Sequence, residues 1–271
     1  MPELPEVETT RRGIAPALVG SRVIGMIVRD RRLRWPIAPN LEAAVRGQRV
    51  LSVERRAKYL IIRLASGALI VHLGMSGSLR LIGGETPPKT HEHWDLVLDS
   101  GQALRFHDPR RFGSLHWTQD DPEQHPLLKK LAPEPLSAAF NGAYLFRVTR
   151  KRAVAIKQLI MNSQLVVGVG NIYASEALFR AGISPRRAAR RLTKAEAHKL
   201  SAAIKAVLKA AIRIGGTTLR DYVNADGLPG YFRQKLFVYE RAGERCRVCE
   251  SRVRQFTQGQ RSTYWCATCQ R

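Results

Sequence analysis

Apolar residues recur at helical spacing from Glu3 to Leu18. Val7, Ile14 and Leu18 share a face that Arg11 and Arg12 avoid, and the pattern predicts an amphipathic helix that stops near Gly20. From about Ser21 to Trp117 the rhythm shortens to runs rich in Val, Ile and Leu, broken by turn signals at Ser66-Gly67, Ser76-Gly77, Gly83-Gly84 and Ser100-Gly101. Antiparallel hairpins stacked as a β-sandwich fit that texture, with one short helix near Leu41 to Arg46. Between about Asp120 and Pro135 the chain is rich in Pro, Asp and Glu and poor in long apolar runs, as a domain boundary would be. Helical texture follows. Ile156 to Asn162 reads as one helix and Asn171 to about Arg180 as another. Thr193-Lys194-Ala195-Glu196 has the form of a capping box, ahead of an apolar face at Leu200, Ile204, Val207, Leu208 and Ala211 that ends at Gly215-Gly216. The segment 217–232 is too polar, and too punctuated by Gly and Pro, to be a core element; a long loop of this kind usually carries function.

Charge changes this picture more than composition does. A chain of 271 residues that is 44% hydrophobic has ample material for a core and room for two domains. Its 45 Lys and Arg against 22 Asp and Glu give a net charge of +23. Such an excess calls for a polyanionic partner, with nucleic acid ahead of an anionic membrane surface. There is no long apolar span, and no basic stretch followed by an apolar one at the start, so the expected location is the cytoplasm, in association with the nucleoid.

All four cysteines lie near the carboxyl end as Cys246-x2-Cys249-x16-Cys266-x2-Cys269. That grouping argues against a secreted disulfide framework and for two knuckles closing on one tetrahedral zinc ion. With four protein ligands the site has no position for water, so the zinc would be structural. Residues 241–271 hold seven Arg against two Glu, which makes the finger a candidate DNA-gripping module.

The chain opens Met1-Pro2-Glu3-Leu4-Pro5-Glu6-Val7-Glu8. If Met1 is removed, Pro2 becomes a secondary amine that can attack an electrophilic carbon and end as a protonated imine, with Glu3 beside it as an acid. The plainer alternative is a helix start, with Pro fixing the entry and acids complementing the positive end of the dipole. Lys58 closes the basic cluster Glu54-Arg55-Arg56-Ala57-Lys58, which on composition alone is a solvated strand end. His72-Leu73-Gly74-Met75-Ser76-Gly77 reads as a strand entering a tight turn, and Arg110-Arg111-Phe112-Gly113 sets an aromatic between cations and a glycine. In Gly168-Val169-Gly170-Asn171 the glycines suit a turn whose exposed N–H groups could meet a phosphate.

Taken together and in this order, these segments resemble the formamidopyrimidine-DNA glycosylase family over nearly the whole chain. The amino terminus through Thr9, the stretch Gly168 to Glu176 and the four cysteines carry the resemblance. It implies an α+β protein: an N-terminal β-sandwich with an amino-terminal helix (1–130), a helical helix-two-turn-helix DNA-binding domain with a lesion-capping loop (131–236), and a β-hairpin zinc finger (237–271). It implies a bifunctional DNA glycosylase and AP lyase that removes oxidised purines from duplex DNA through an imine at Pro2, then cuts the strand by β,δ-elimination. The implied catalytic residues are Pro2, Glu3, Lys58 and Arg261, the last gripping a phosphate. His72, Met75, Arg110, Phe112, Lys157 and Asn171 would contact DNA. Among these, Met75, Arg110 and Phe112 would fill the space left by the extruded base, with Arg110 facing the orphaned cytosine. The expected assembly is a monomer on damaged duplex DNA, with one structural zinc held by Cys246, Cys249, Cys266 and Cys269. The loop at 217–232 would close over extruded 8-oxoguanine. Glu240 and Glu250 stand where many family members have glycine, which puts local turn geometry in the finger in question. Two alternatives remain open: an endonuclease VIII type enzyme for oxidised pyrimidines, disfavoured by Leu4, Arg110 and Phe112, and a non-catalytic damage-binding zinc-finger protein that keeps Met1.

Overall fold

The structure is a computed structural model that describes residues 2–215 and 236–271. The segment expected to cap the lesion, 217–232, lies outside the described residues. Contacts divide the described chain into two compact units, one of residues 2–129 with 214–215, the other of 130–213 with 236–271.

The first unit opens with helix α1 (Leu4–Leu18), followed by β1 (Val23–Val28) and the short helix α2 (Leu41–Val45). Seven more strands follow: β2 (Val50–Arg56), β3 (Tyr59–Leu64), β4 (Gly67–His72), β5 (Ser78–Gly83), β6 (Glu92–Leu98), β7 (Gln102–His107) and β8 (Ser114–Thr118). They form two antiparallel four-stranded sheets, in the orders β1-β6-β7-β5 and β2-β3-β4-β8. Their inward faces share one core. Trp94 and Phe106 stack at 5.3 Å in it, and Val7, Ile14 and Leu18 of α1 enter it from the helix. The apolar face read from the sequence is therefore the buried one. One charged network is also enclosed: Arg105 donates to Asp95 at 2.8 Å and to Glu92 at 3.0 Å, and its remaining N–H groups hold the carbonyls of Thr86 and Pro87. Pairing on every side is what makes burial of that guanidinium tolerable.

The second unit contains α3 (Gly142–Thr149), α4 (Ile156–Ile160), α5 (Asn171–Ala181) and α6 (Lys194–Arg213), then the hairpin β9 (Arg254–Gln258) and β10 (Arg261–Trp265). The capping box at the head of α6 is present: Thr193 Oγ1 accepts from the Glu196 N–H at 3.2 Å, and a Glu196 oxygen accepts from the Thr193 N–H at 2.9 Å. Gly182 ends α5 at φ 70°, in the left-handed region that glycine enters freely. The finger shares a core with α5, in which Phe179 packs with Val238, Cys246, Val253 and Cys266. Among the described residues no helix is long and apolar enough to cross a membrane.

Candidate functional site

In the first unit, α1 fixes the amino-terminal residues. Glu3 caps the helix, its own N–H donating to Glu6 Oε2 at 2.8 Å; Pro2, Glu3 and Glu6 are all buried. A helix start carries a partial positive charge, which opposes protonation of an amine placed there. One turn further on, Glu8 accepts from Arg11, Arg12 and Arg55. Arg55 in turn reaches the Ala57 carbonyl at 2.9 Å, so the β2–β3 turn that carries Lys58 is bound to the first turns of α1. Ala57 holds that turn at φ 54°.

Tyr59 faces His72 across β3 and β4, with ring centroids 4.8 Å apart. Burial, with Lys58 and Arg34 nearby, holds the His72 imidazole down at about 4. It is neutral at physiological pH. Its Nδ1 accepts from the Gly74 N–H at 3.0 Å, so the proton sits on Nε2, which is left as a donor suited to an oxyanion.

The three residues expected to fill the vacated stack sit on two turns held by one carboxylate. Asp108 is fully buried; its Oδ1 accepts from Ser76 Oγ at 3.0 Å and its Oδ2 from the Gly113 N–H at 2.8 Å. Its carbonyl accepts from His93 Nε2 at 2.7 Å. The turns touch directly: a Cβ on Gly74 would lie 2.4 Å from the Gly113 nitrogen, and Gly74 has φ 69°. Met75 and Phe112 nevertheless stay 39% and 43% exposed, which leaves two large apolar side chains in solvent reach. The Arg110 guanidinium lies 5.1 Å above the Phe112 ring. Arg111, at φ 54°, turns outward to Asp30 at 3.2 Å, and the Arg34 N–H binds the Gly113 carbonyl at 3.1 Å.

The second unit gathers the other expected residues. Lys157 Nζ donates to Asn171 Oδ1 at 2.6 Å and to Thr263 Oγ1 at 2.7 Å, and Asn171 Nδ2 donates to the Ser262 carbonyl at 2.9 Å. Lys157 is 1% exposed. The Asn171 side chain, expected at an open helix start, is thus spent on β10, and both residues fix the strand that begins at Arg261. Arg261 is exposed and shares a cleft of about 200 Å³ with Lys157, Gln158, Met161, Gln258 and Gly259. Gly168 takes φ 77°, which its turn requires.

The sulfur atoms of Cys246, Cys249, Cys266 and Cys269 all lie within 4.8 Å of one another. A tetrahedral zinc with bonds of ~2.3 Å spaces its ligands by about 3.8 Å. Cys246–Cys269 at 3.9 Å and Cys249–Cys266 at 3.4 Å match that spacing. The Ser251 hydroxyl and N–H bring the Cys249 thiol down to about 6, while burial pushes the Cys266 and Cys269 thiols up, so binding a metal would release protons from the cluster. The four cysteines fit one structural zinc.

Two residues that the sequence reading passed over have structural weight here. In the sequence Asp108 is marked only by the proline that follows it, ahead of Arg110. Glu176 is the sole acid in a helix that is otherwise apolar on nearly every side, a signal that could have been read. It is 2% exposed and accepts from the backbone N–H groups of Phe237, Val238 and Tyr239 at 2.9, 2.9 and 3.0 Å. Burial pushes its carboxyl up, and the three N–H groups pull the other way.

Family models match the chain in three consecutive pieces. They are the formamidopyrimidine-DNA glycosylase N-terminal domain over residues 1–115, the H2TH domain of the same proteins over 131–223, and a zinc finger found in FPG and IleRS over 243–271. A formamidopyrimidine-DNA glycosylase of Stutzerimonas stutzeri is 59% identical over 271 residues, covering all of both chains. The chain belongs to the formamidopyrimidine-DNA glycosylase family. Its activity is that of a DNA glycosylase and AP lyase of base excision repair. The MutM (Fpg) protein of Thermus thermophilus is 42% identical with a TM-score of 0.89, covering 99% of this chain and 98% of that one. A Lactococcus lactis Fpg mutant bound to Fapy-dG-containing DNA is 32% identical with a TM-score of 0.92, covering 99% of both chains. The α+β architecture and the cysteine cluster expected from the sequence are those of formamidopyrimidine-DNA glycosylases.

Proposed function

We propose that the amine of Pro2, freed by removal of Met1, attacks C1′ of an extruded oxidised purine nucleotide in duplex DNA. The N–C1′ bond forms as the bond to the base breaks. The base leaves with a proton, and Glu3 protonates the sugar ring oxygen, so that the ring opens to an iminium. The iminium acidifies C2′. Loss of that proton expels the 3′ phosphate, and a second elimination expels the 5′ phosphate. Water then releases the sugar remnant and returns the amine. The observation that carries this reading is the buried pair Pro2 and Glu3 at the positive end of α1, with the Lys58 turn bound to the same helix through Glu8 and Arg55.

Met75, Arg110 and Phe112 fill the vacated stack, and Arg110, which has donors and no acceptor, faces the acceptors of the orphaned cytosine. His72 donates from Nε2 to a phosphate, and Arg261 grips another from the second unit. Lys157 and Asn171 serve by holding the Arg261 strand in place. The boundaries 1–130, 131–236 and 237–271 divide catalysis, helical DNA binding with the lesion-capping loop, and the zinc-held finger. The protein acts as a monomer on damaged duplex DNA in the cytoplasm, in association with the nucleoid.

Borohydride added during turnover should trap a covalent adduct on the amino-terminal peptide. Glu3→Gln should lose base excision and keep trapping on a preformed abasic site. A chain whose Met1 cannot be removed should bind and neither trap nor cut. An adduct on Lys58 or Lys157, or full activity with Met1 retained, overturns the assignment. A preference for oxidised pyrimidines over 8-oxoguanine would favour the endonuclease VIII reading.

A further inference from the structure

Between residues 135 and 215 the chain carries fifteen Lys and Arg against two Glu, and neither acid is available to the surface cations as a group. Glu176 is buried on three backbone N–H groups, and Glu196 is occupied by Arg187 and the Thr193 cap. The cations are also concentrated in space. Residues 150–156, leading into α4, run beside residues 187–191, which follow α5. The Ile156 N–H meets the Arg187 carbonyl at 2.8 Å, the Ala189 N–H the Val154 carbonyl at 2.9 Å, and the Arg190 N–H the Arg152 carbonyl at 2.9 Å. Arg150 clamps the pair, stacking on Phe146 at 4.1 Å and donating to the Leu192 carbonyl at 2.7 Å.

This lacing brings the backbones at Lys151, Arg190 and Arg191 together, Lys194 follows at the head of α6, and all four residues are exposed; they make up a basic strip. None of the four has an ion-pair partner among the described residues. Lys151 is held at φ 59°, a left-handed conformation that strains a lysine. Just ahead of residues 187–191, Arg186 packs on the finger, its guanidinium 3.9 Å from the Phe256 ring centre and 5.6 Å from that of Trp265. Four unpaired cations fixed by a backbone ladder repel one another unless an external polyanion neutralises them. None of the four belongs to the residues already assigned to lesion handling.

We propose that Lys151, Arg190, Arg191 and Lys194 form a second DNA-binding surface, which grips the phosphates of the duplex flanking the lesion. The inference rests on the proposed function for the partner's identity and not for its chemistry. Borohydride trapping by the unsubstituted protein reads that function separately. The test is the zinc-loaded full chain carrying Lys151→Gln, Arg190→Gln, Arg191→Gln and Lys194→Gln together. Its affinity is measured by fluorescence anisotropy against salt, on duplexes of increasing length around one central lesion.

Taking one cation away from a phosphate flattens the slope of log affinity against log salt by ~0.9. On long duplex the four substitutions should flatten it by between about 2 and 3.6 units. The deficit should shrink as the flanks are shortened. The pairs Lys151→Gln with Lys194→Gln, and Arg190→Gln with Arg191→Gln, should each give about half the effect, which guards against a folding defect in the quadruple variant. An unchanged slope on long duplex overturns the proposal. Equal loss at every length also overturns it, since the four cations would then act at the lesion. So does a variant that keeps its DNA slope while losing binding to phosphatidylglycerol vesicles, which would make the strip a membrane-binding surface.

Discussion

At the scale of single residues, Asp108 touches no reacting atom and still sets where Met75, Arg110 and Phe112 stand. Its two oxygens span the turns, so the three residues proposed to fill the vacated stack are fixed relative to one another. Asp108→Ala leaves the Ser76 hydroxyl and the Gly113 N–H without their buried partner, at ~1–3 kcal/mol. Excision of 8-oxoguanine opposite cytosine should fall about tenfold or more, on the scale of 1.4 kcal/mol per decade. Cleavage of a preformed abasic site should fall much less, because no base has to be extruded. Ser76→Ala should give a smaller effect in the same direction, and Phe112→Ala a larger one. Equal losses on the two substrates would show that the turns support general binding. The sequence displayed Met75, Arg110 and Phe112 as separate features of separate turns. What it could not display is the carboxylate that joins them, because Ser76 and Asp108 become neighbours through the pairing of β5 with β7 and of β4 with β8.

Among the elements, the finger bears out the concern raised by its glutamates. Glu240 and Glu250 have φ 57° and 61°, the region where glycine is at ease and other residues are strained by roughly 1–2 kcal/mol. Glu250 closes the first knuckle, its N–H donating to the Cys246 carbonyl at 3.1 Å. Its ion pair with Arg245 at 3.6 Å is largely exposed and contributes little. Glu250→Gly should therefore stabilise the zinc-loaded protein by a few tenths to about 1 kcal/mol, the relief being offset in part by the freer unfolded chain. A rise in the thermal midpoint with unchanged zinc content is the expected result; a fall would show that the glutamate side chain holds the turn. Cys249→Ala should lose zinc and duplex affinity together, and metal analysis beside a binding isotherm checks both. Chain spacing alone disclosed the metal, since the x2 and x16 intervals bring four sulfurs within reach of one ion. The docking of the finger on α5 was not disclosed, because the Gln270 side chain that donates to the Ile183 carbonyl at 3.0 Å belongs to no recognisable pattern.

For the whole molecule, the excess of 23 positive charges makes association with DNA a matter of counterion release. Arg261→Ala should reduce the slope of log affinity against log salt by ~0.9, the share of one phosphate. An unaltered slope removes Arg261 from the phosphate-binding set. The sandwich, α1, α2 and the capped α6 were legible because each buries one face, so that period and punctuation agree, whereas α5, buried on nearly every side, was legible from the glycines that precede it. Helix α3 was not resolved from its surroundings: at eight residues, from Gly142 to Thr149, it is too short for a period to declare itself. The two segments that build the basic strip were legible as charge and not as structure. Nothing local tells that Arg152 and Arg190 share a hydrogen bond through their backbones.

Glu176 sets a limit on how the chain can vary in length. Two carboxylate oxygens receive three consecutive N–H groups, at 237, 238 and 239, so the segment entering the finger is held in one frame. An inserted or deleted residue inside that triplet would present the wrong amides and displace the Tyr239 ring from its edge-on packing with Tyr264 at 5.1 Å. Relatives can lengthen or shorten the chain on either side of these three residues, but between them the spacing is fixed, and an alignment that opens a gap there is misplaced.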